Sequence, residues 1–360
     1  MKTFMKATSF ALVATVIVFL MTAQVGAAWP ERPITGVVCS SAGGGCDTVS
    51  RTYAKAMEKH LGVDIKVINK PGGGGSLAMD FVQSKPADGY WWLLGVEFFK
   101  WARPMGRTNT TGWKDWQWYK CANAVSSWSV RSDSPFKTVT DLLDEARKHP
   151  NNVKMSYGCA PGGVWHEASA LIMNETNTKF RNVHYHGGAL ATLACLNGEV
   201  DVVSSGLHEH IEFIRAGKLR NLVVFVKEPI QLKDGTIIRP VTDFVPGLAK
   251  WAPFGAEYTL AVKRGVPVEA LEKIKSAFVA AVNSPEYDTL MKQRFFFKEI
   301  VVGGNADRMA ALRESVTSWL LWDLKVEGVK ANPVDLGIPR PEGFDTWWPP
   351  KGYKPRIKSD

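Results

Sequence analysis

The stretch TGVVCSSAGGGCDTVSRTYAKAMEKHLG, Thr35 to Gly62, decides the fold. Gly36-Val37-Val38-Cys39 is a short apolar run of the kind a buried strand shows. Ser40 to Gly45 can only be a loop, and Asp47 is placed to cap the helix that follows. Val49, Tyr53, Ala56, Met57 and Leu61 then recur at helical spacing, and Gly62 supplies the stop. Glycines ahead of a helix N-terminus let backbone N–H groups face outward unobstructed, which suits a carboxylate or a phosphate. The loop is not a phosphate-cradling P-loop, because Cys46-Asp47 stand where Lys and Ser/Thr are needed. It is not a dinucleotide fingerprint either, because Thr48 takes the place of the last glycine. The plainer alternative is a bare turn joining strand to helix.

Downstream, Asp64–Ile68 alternates like a strand, Asn69–Gly75 is a second breaker cluster, and Ser76 can cap a short helix. Tyr90–Gly95 reads as another buried strand, so the chain opens βαβαβ and predicts a largely parallel sheet. Trp101 to Trp128 is tryptophan-dense and reads as an irregular connection. A second α/β series follows: a helix over 141–149 capped by Thr140, a strand over 153–157, the loop Gly158–Gly163, and a helix over 164–173. Strands over 182–185, 200–203 and 219–226 alternate with helices over 189–196 and 206–216. The C-terminal part adds a strand-like stretch over 251–263, helices over 267–282 and 306–325, and a Pro- and aromatic-rich tail. Each half thus has a strand, a glycine loop and a helix N-terminus, and two such loops across a cleft would hold one anionic ligand. Replacing Gly44 with a β-branched residue is then expected to weaken binding by blocking backbone approach.

At 360 residues there is room for two domains. Lys2, Lys6, the apolar run Phe10–Met21 and the small residues Val25–Ala28 read as a signal peptide over 1–28, cleaved near Ala27 or Ala28, so the mature chain is expected in the periplasm. The net charge is +9, or +7 without Lys2 and Lys6, and no Lys/Arg run marks a nucleic-acid face. Cys39, Cys46, Cys121, Cys159 and Cys195 are odd in number, with no spacing that suggests a metal. A disulfide between Cys46 and Cys159 would lock a cleft and block ligand exchange, so the two are expected to be unpaired. His184, His186, His208 and His210 are badly spaced for one metal, and neither a metal nor a cofactor is expected. Cys46 or Cys159 with His166 as base is the enzyme alternative, without an evident orienting partner.

An ordered set of short motifs resembles one family. Trp29-Pro30-Glu31-Arg32-Pro33-Ile34, Ala42–Asp47 with Arg51, Asn69–Gly75 and Pro86–Tyr90 are matched in the first half. Ser132–Thr138, Tyr185–Ala189, Gly198–Asp201 and Ala216–Arg220 are matched in the second. Each is weak alone; in this order and spacing they resemble the extracytoplasmic solute-binding receptors of tripartite tricarboxylate transporters, the TctC or Bug family. The resemblance implies an α/β, two-lobed periplasmic binding fold of the type II kind, each lobe a mainly parallel sheet flanked by helices. The expected lobes are 29–127 with 258–360, and 128–257. It implies a monomer that closes by a hinge on a small carboxylate and hands it to a membrane permease. Sensing through a membrane kinase would use the same binding chemistry.

Carried over residue by residue, the first binding loop spans Ser40, Ser41, Gly43, Gly44, Gly45 and Asp47, with Gly43–Gly45 receiving one ligand carboxylate. The second comprises Ala160, Pro161, Gly162, Gly163, Trp165 and His166, with Tyr185 and Ser205 nearby. Three positions depart from the family pattern. Ser40 stands where a bulky residue is common, and Trp165 stands where small residues precede His166. Glu97 follows the third strand, where it would repel an anion or hold an amino group. Ser204-Ser205 also replace the family's Asp. These departures make a simple dicarboxylate a doubtful ligand.

Overall fold

The computed structural model describes residues 29–96 and 99–359. The expected signal segment and Glu97 lie outside the described residues.

The opening stretch folds as read. Ile34–Val38 (β1) runs into the glycine loop, and the helix Gly45–Leu61 buries Val49, Tyr53 and Met57 before Gly62 closes it in the left-handed region, φ 71°. Asp47 sits inside the first turn rather than at the cap. Its carboxylate accepts from Gly43 N–H (3.0 Å), Arg51 Nε (2.9 Å) and Asn69 Nδ2 (2.9 Å), so it braces the loop from behind. A cap two residues from its expected place opens the helix Val139–Lys148: Thr138, not Thr140, accepts from Asp141 N–H, and Asp141 returns the bond.

Two sheets carry the molecule. The first has six strands: β1, Ile65–Asn69 (β2), Trp91–Val96 (β3), Trp116–Asn123 (β4), Glu257–Lys263 (β12) and Phe297–Val301 (β13), in the order β13-β4-β12-β3-β1-β2. The second has five: Ser126–Arg131 (β5), Lys154–Tyr157 (β6), Arg181–His184 (β7), Val202–Gly206 (β8) and Leu219–Val224 (β9), in the order β7-β6-β8-β5-β9. Between β9 and β12 a small antiparallel hairpin joins Ile230–Gln231 (β10) to Ile237–Ile238 (β11). The sheets are mixed, not mainly parallel. β2-β1-β3 and β7-β6-β8 are parallel as the βαβ reading requires, but β4, β5 and β12 pair antiparallel to their neighbours. Those are the strands that carry the chain across: β4 leads into β5, and β12 returns to the first sheet.

The two crossings run side by side, with Ala124 N–H bonded to Ala256 O (2.7 Å) and Ser126 N–H to Phe254 O (2.9 Å). The tryptophan-dense region is therefore irregular only in its first part, over 103–111, and forms two strands from Trp116 onward. Trp116, Trp118, Tyr119, Cys121 and Trp128 are all buried. The aromatic tail is anchored rather than loose: Trp113 meets Trp347, Trp348 and Tyr353 edge-on, at centroid distances of 6.0, 5.7 and 6.2 Å.

A buried charge network ties the long helix Gly303–Asp323 to the first sheet. Glu257 Oε1 lies 2.8 Å from Lys120 Nζ and 2.8 Å from Arg313 Nη2. Burial pushes the Glu257 carboxyl up, but Arg313 and Lys120 overcome this and hold it below its ordinary value of 4.5. A carboxyl with a depressed folded pKa stabilises above its unfolded pKa and loses that contribution as pH falls. The stability gap between the wild type and Glu257→Gln, measured by urea melts from pH 7 to pH 3, is expected to narrow as pH falls below about 4.5. A gap that stays constant would rule the network out as its source.

Candidate functional site

Between the sheets lies a cleft of about 740 Å³, counting the part open to solvent. Four glycine-bearing segments face it. From the first sheet come Ser40 with Gly44, Gly45 and Cys46, and Gly72 with Gly74 and Gly75. From the second come Gly158, Cys159, Ala160 and Gly163 to Trp165, and Tyr185 to Gly188. Cys39, Trp101, Glu209, Ala256 and Tyr258 complete the lining. Three helices, Gly45–Leu61, Val164–Thr176 and Gly188–Leu196, aim their N-termini at this space, and each follows an uncapped glycine. Backbone N–H groups at such helix starts favour negative charge there.

The lobes are drawn together. Ser41 N–H donates to His186 O (3.3 Å), and Tyr258 Oη lies 3.1 Å from His208 Nε2. Beneath the cleft, Lys100 Nζ lies 3.3 Å from Glu167 Oε2, with both side chains almost wholly buried.

Of the residues expected at the site, Ser40, Gly44, Gly45, Ala160, Gly163, Trp165 and Tyr185 line the cleft. Ser41, Gly43, Asp47, Pro161, Gly162, His166 and Ser205 are not among its lining residues. Gly43 N–H is already taken by Asp47. His166 turns inward: its Nδ1 accepts from Gly162 N–H (3.1 Å), and its ring packs on Tyr157 and His184. Burial pushes His166 down to about 3, so it is neutral. The Ser205 hydroxyl is spent on His210 Nε2 at 2.8 Å. Gly44 is not the tight position either. A Cβ there would meet Glu209 at 3.5 Å, an ordinary contact, whereas one on Gly45 would lie 2.0 Å from His208 Nε2.

Cys46 and Cys159 both line the cleft and are free. Burial pushes the Cys159 thiol up to about 12, and His166 is committed to Gly162, so these two do not form an activated nucleophile and base. Among the described residues no group of three or more His, Cys, Asp or Glu converges as a metal site.

Sequence reasoning missed Glu209. Its side chain is 7% exposed and enters the cleft from the start of the helix Leu207–Arg215. Oε2 accepts from Gly206 N–H (3.2 Å) and Oε1 from Gly45 N–H (3.5 Å). A Cβ on Gly188 would fall 1.5 Å from Oε2, so glycine at 188 leaves room for the carboxylate in this position. Glycine at 206 followed three residues on by Glu is a local capping signature. It carried no sign that the carboxylate would also reach the other lobe.

Two α/β bodies joined by paired crossings, with a glycine-lined cleft between them, form a periplasmic binding protein fold. The chain matches the tripartite tricarboxylate transporter family receptor, TctC, over residues 49–319, and it belongs to that family of periplasmic receptors. It is 28% identical over 276 residues to a UPF0065 protein encoded between tcbD and tcbE in Pseudomonas sp. strain P51, covering 74% of this chain and 78% of that one. It is 26% identical over 228 residues to BugT of Bordetella pertussis, covering 59% of this chain and 68% of that one. Among solved structures, BugD superposes with a TM-score of 0.72 at 19% identity, over 83% of this chain and 99% of that one. MatC from Rhodopseudomonas palustris with bound malate superposes with a TM-score of 0.69 at 21% identity, over 84% and 100%. Among the described residues no helix is long and apolar enough to cross a membrane.

Proposed function

We propose that this chain is an exported receptor that captures a small organic acid in the interlobe cleft and delivers it to the membrane permease of a tripartite tricarboxylate-type transporter. One observation carries the reading: three helix N-termini from two lobes converge on a single glycine-lined cleft. Backbone N–H groups and helix dipoles at such a point favour an anion without a fixed cation. Relatives of the same fold include MatC with malate and an R. palustris protein with adipate, which supports a carboxylate as ligand. The lobes, 29–127 with 258–360 and 128–257, open and close about the paired crossings, and the receptor acts as a monomer in the periplasm after cleavage near Ala27 or Ala28. It performs no chemistry of its own on the ligand.

A thermal-shift screen of the purified protein against mono-, di- and tricarboxylates, aromatic acids and amino acids tests this. A ligand at ~100 times its Kd stabilises the fold by ~2.7 kcal/mol, which reads as a clear rise in Tm. A protein purified free of ligand that shifts with no acid in the screen would refute the carboxylate reading.

A further inference from the structure

Part of the anion position in the cleft is filled by the protein itself. Glu209 Oε1 accepts from Gly45 N–H at 3.5 Å and Oε2 from Gly206 N–H at 3.2 Å, and Oε2 would lie 1.5 Å from a Cβ on Gly188. One carboxylate thus sits against the helix starts at Gly45 and Gly188 as well as that of its own helix, and it bridges the two sheets as a ligand carboxylate would. Burial pushes the Glu209 carboxyl up, but His208, with Nε2 at 3.7 Å, outweighs this and holds it below its ordinary value, so Glu209 is charged.

The third helix start, that of Val164–Thr176, has no carboxylate seated on it from the cleft. Its own acidic residue, Glu167, is turned beneath the cleft to Lys100 and Thr317. Cys159, which stands beside Gly163 at this end, is a neutral thiol. The rest of the lining offers little to a second negative charge. Among the described residues it holds no Lys or Arg, and His186 is the one lining side chain able to turn positive. Trp101, Trp165, Tyr185 and Tyr258 present aromatic walls instead, the surroundings of an uncharged ligand body.

We propose that Glu209 stands in for one ligand carboxylate, and that the receptor takes a monocarboxylate with an uncharged, apolar body. The ligand carboxylate goes to the start of Val164–Thr176, and the body lies against the aromatic walls. This rests on the reading of the cleft as an organic-acid site and narrows it. A second carboxylate on the ligand would be brought against Glu209 in a cleft with little water to screen the two charges. Glu209 therefore sets specificity by rejecting dicarboxylates.

The test is titration calorimetry on purified, ligand-free wild type and Glu209→Gln, with hexanoate against adipate and benzoate against terephthalate, pairs that differ by one carboxylate. The wild type is expected to prefer the monocarboxylate of a pair by at least about tenfold, a modest share of what like-charge juxtaposition costs. Glu209→Gln keeps an oxygen for Gly206 N–H, and in it the preference is expected to shrink at least about tenfold through a gain in dicarboxylate affinity. Tighter wild-type binding of the dicarboxylates, or an unchanged preference in Glu209→Gln, overturns the proposal while leaving the organic-acid reading standing. A parallel loss of both members of a pair in Glu209→Gln would mean that Glu209 only holds the two sheets together, and overturns its role in specificity. Binding of none of the four to the wild type overturns the proposal as well, and the wider acid screen then decides whether the organic-acid reading falls with it.

Discussion

Gly45→Ala is expected to lose at least about tenfold in ligand affinity, about 1.4 kcal/mol, while each lobe stays folded. Gly45 opens a helix, where alanine is intrinsically better than glycine by roughly 1 kcal/mol, so the change carries no local penalty. The larger part of the penalty lies across the cleft. The new Cβ would sit 2.0 Å from His208 Nε2 and 2.6 Å from Tyr258 Oη. Neither ring can step back. Both are 1% exposed, they touch each other at 3.1 Å, and Phe296 packs on both. His208 follows β8 of the second sheet and Gly45 follows β1 of the first, so the closer overlap opposes the approach of the two sheets, while Tyr258, on β12 of the first sheet, adds strain on Gly45's own side. Overpacking of this kind costs about 1–3 kcal/mol. Gly44→Ala is the internal control, because its added Cβ finds nothing nearer than 3.5 Å and should bind nearly as well as wild type. Calorimetric titration of both variants with the ligand found by thermal shift decides the matter. Equal losses at 44 and 45 would mean that space at the helix start is not what governs closure.

The largest stability loss is expected for Glu167→Ala, about 3–5 kcal/mol, the usual cost of removing one member of a buried ion pair. Glu167 and Lys100 are 0% and 4% exposed in their side chains, 3.3 Å apart. Thr317 Oγ1 also donates to Glu167 Oε1 at 2.9 Å. Lys100 and Thr317 lie on the helices Phe99–Ala102 and Gly303–Asp323, the latter packed on the first sheet, and Glu167 lies on Val164–Thr176 against the second, so one carboxylate joins the two sides. Its loss leaves the Lys100 charge buried without this partner and the Thr317 hydroxyl without its acceptor. Urea denaturation of Glu167→Ala and of Glu167→Gln reads the two parts separately. Gln keeps an oxygen for Thr317 and should recover part of the loss. A cost below about 1 kcal/mol for Glu167→Ala would place this pair in a wetter, weaker setting than its burial indicates.

Much of the fold could be read from local pattern. The helix over 45–61, the parallel strands β1 to β3 and β6 to β8, and their glycine loops follow from short apolar runs, periodicity and breakers. These signals act within a few residues, where covalent geometry and capping dominate. The strands β4 and β5 were not readable. Trp116 to Ala122 is buried at every position, so the alternation that betrays a half-exposed strand is absent.

The site divides along the same line. The chain alone determined that glycine loops precede helix N-termini in both halves, and through its ordered motifs it pointed to the receptor family. Only the tertiary structure decided which groups face the cleft. Nothing near His166 announced that it would turn back to Gly162 N–H. Glu209 is the sharpest case. Locally it is a helix cap on Gly206, three residues away. Its reach to Gly45 spans 164 residues of chain. Periodicity and capping are short-range, whereas charge placed at converging helix ends exists only once two lobes meet.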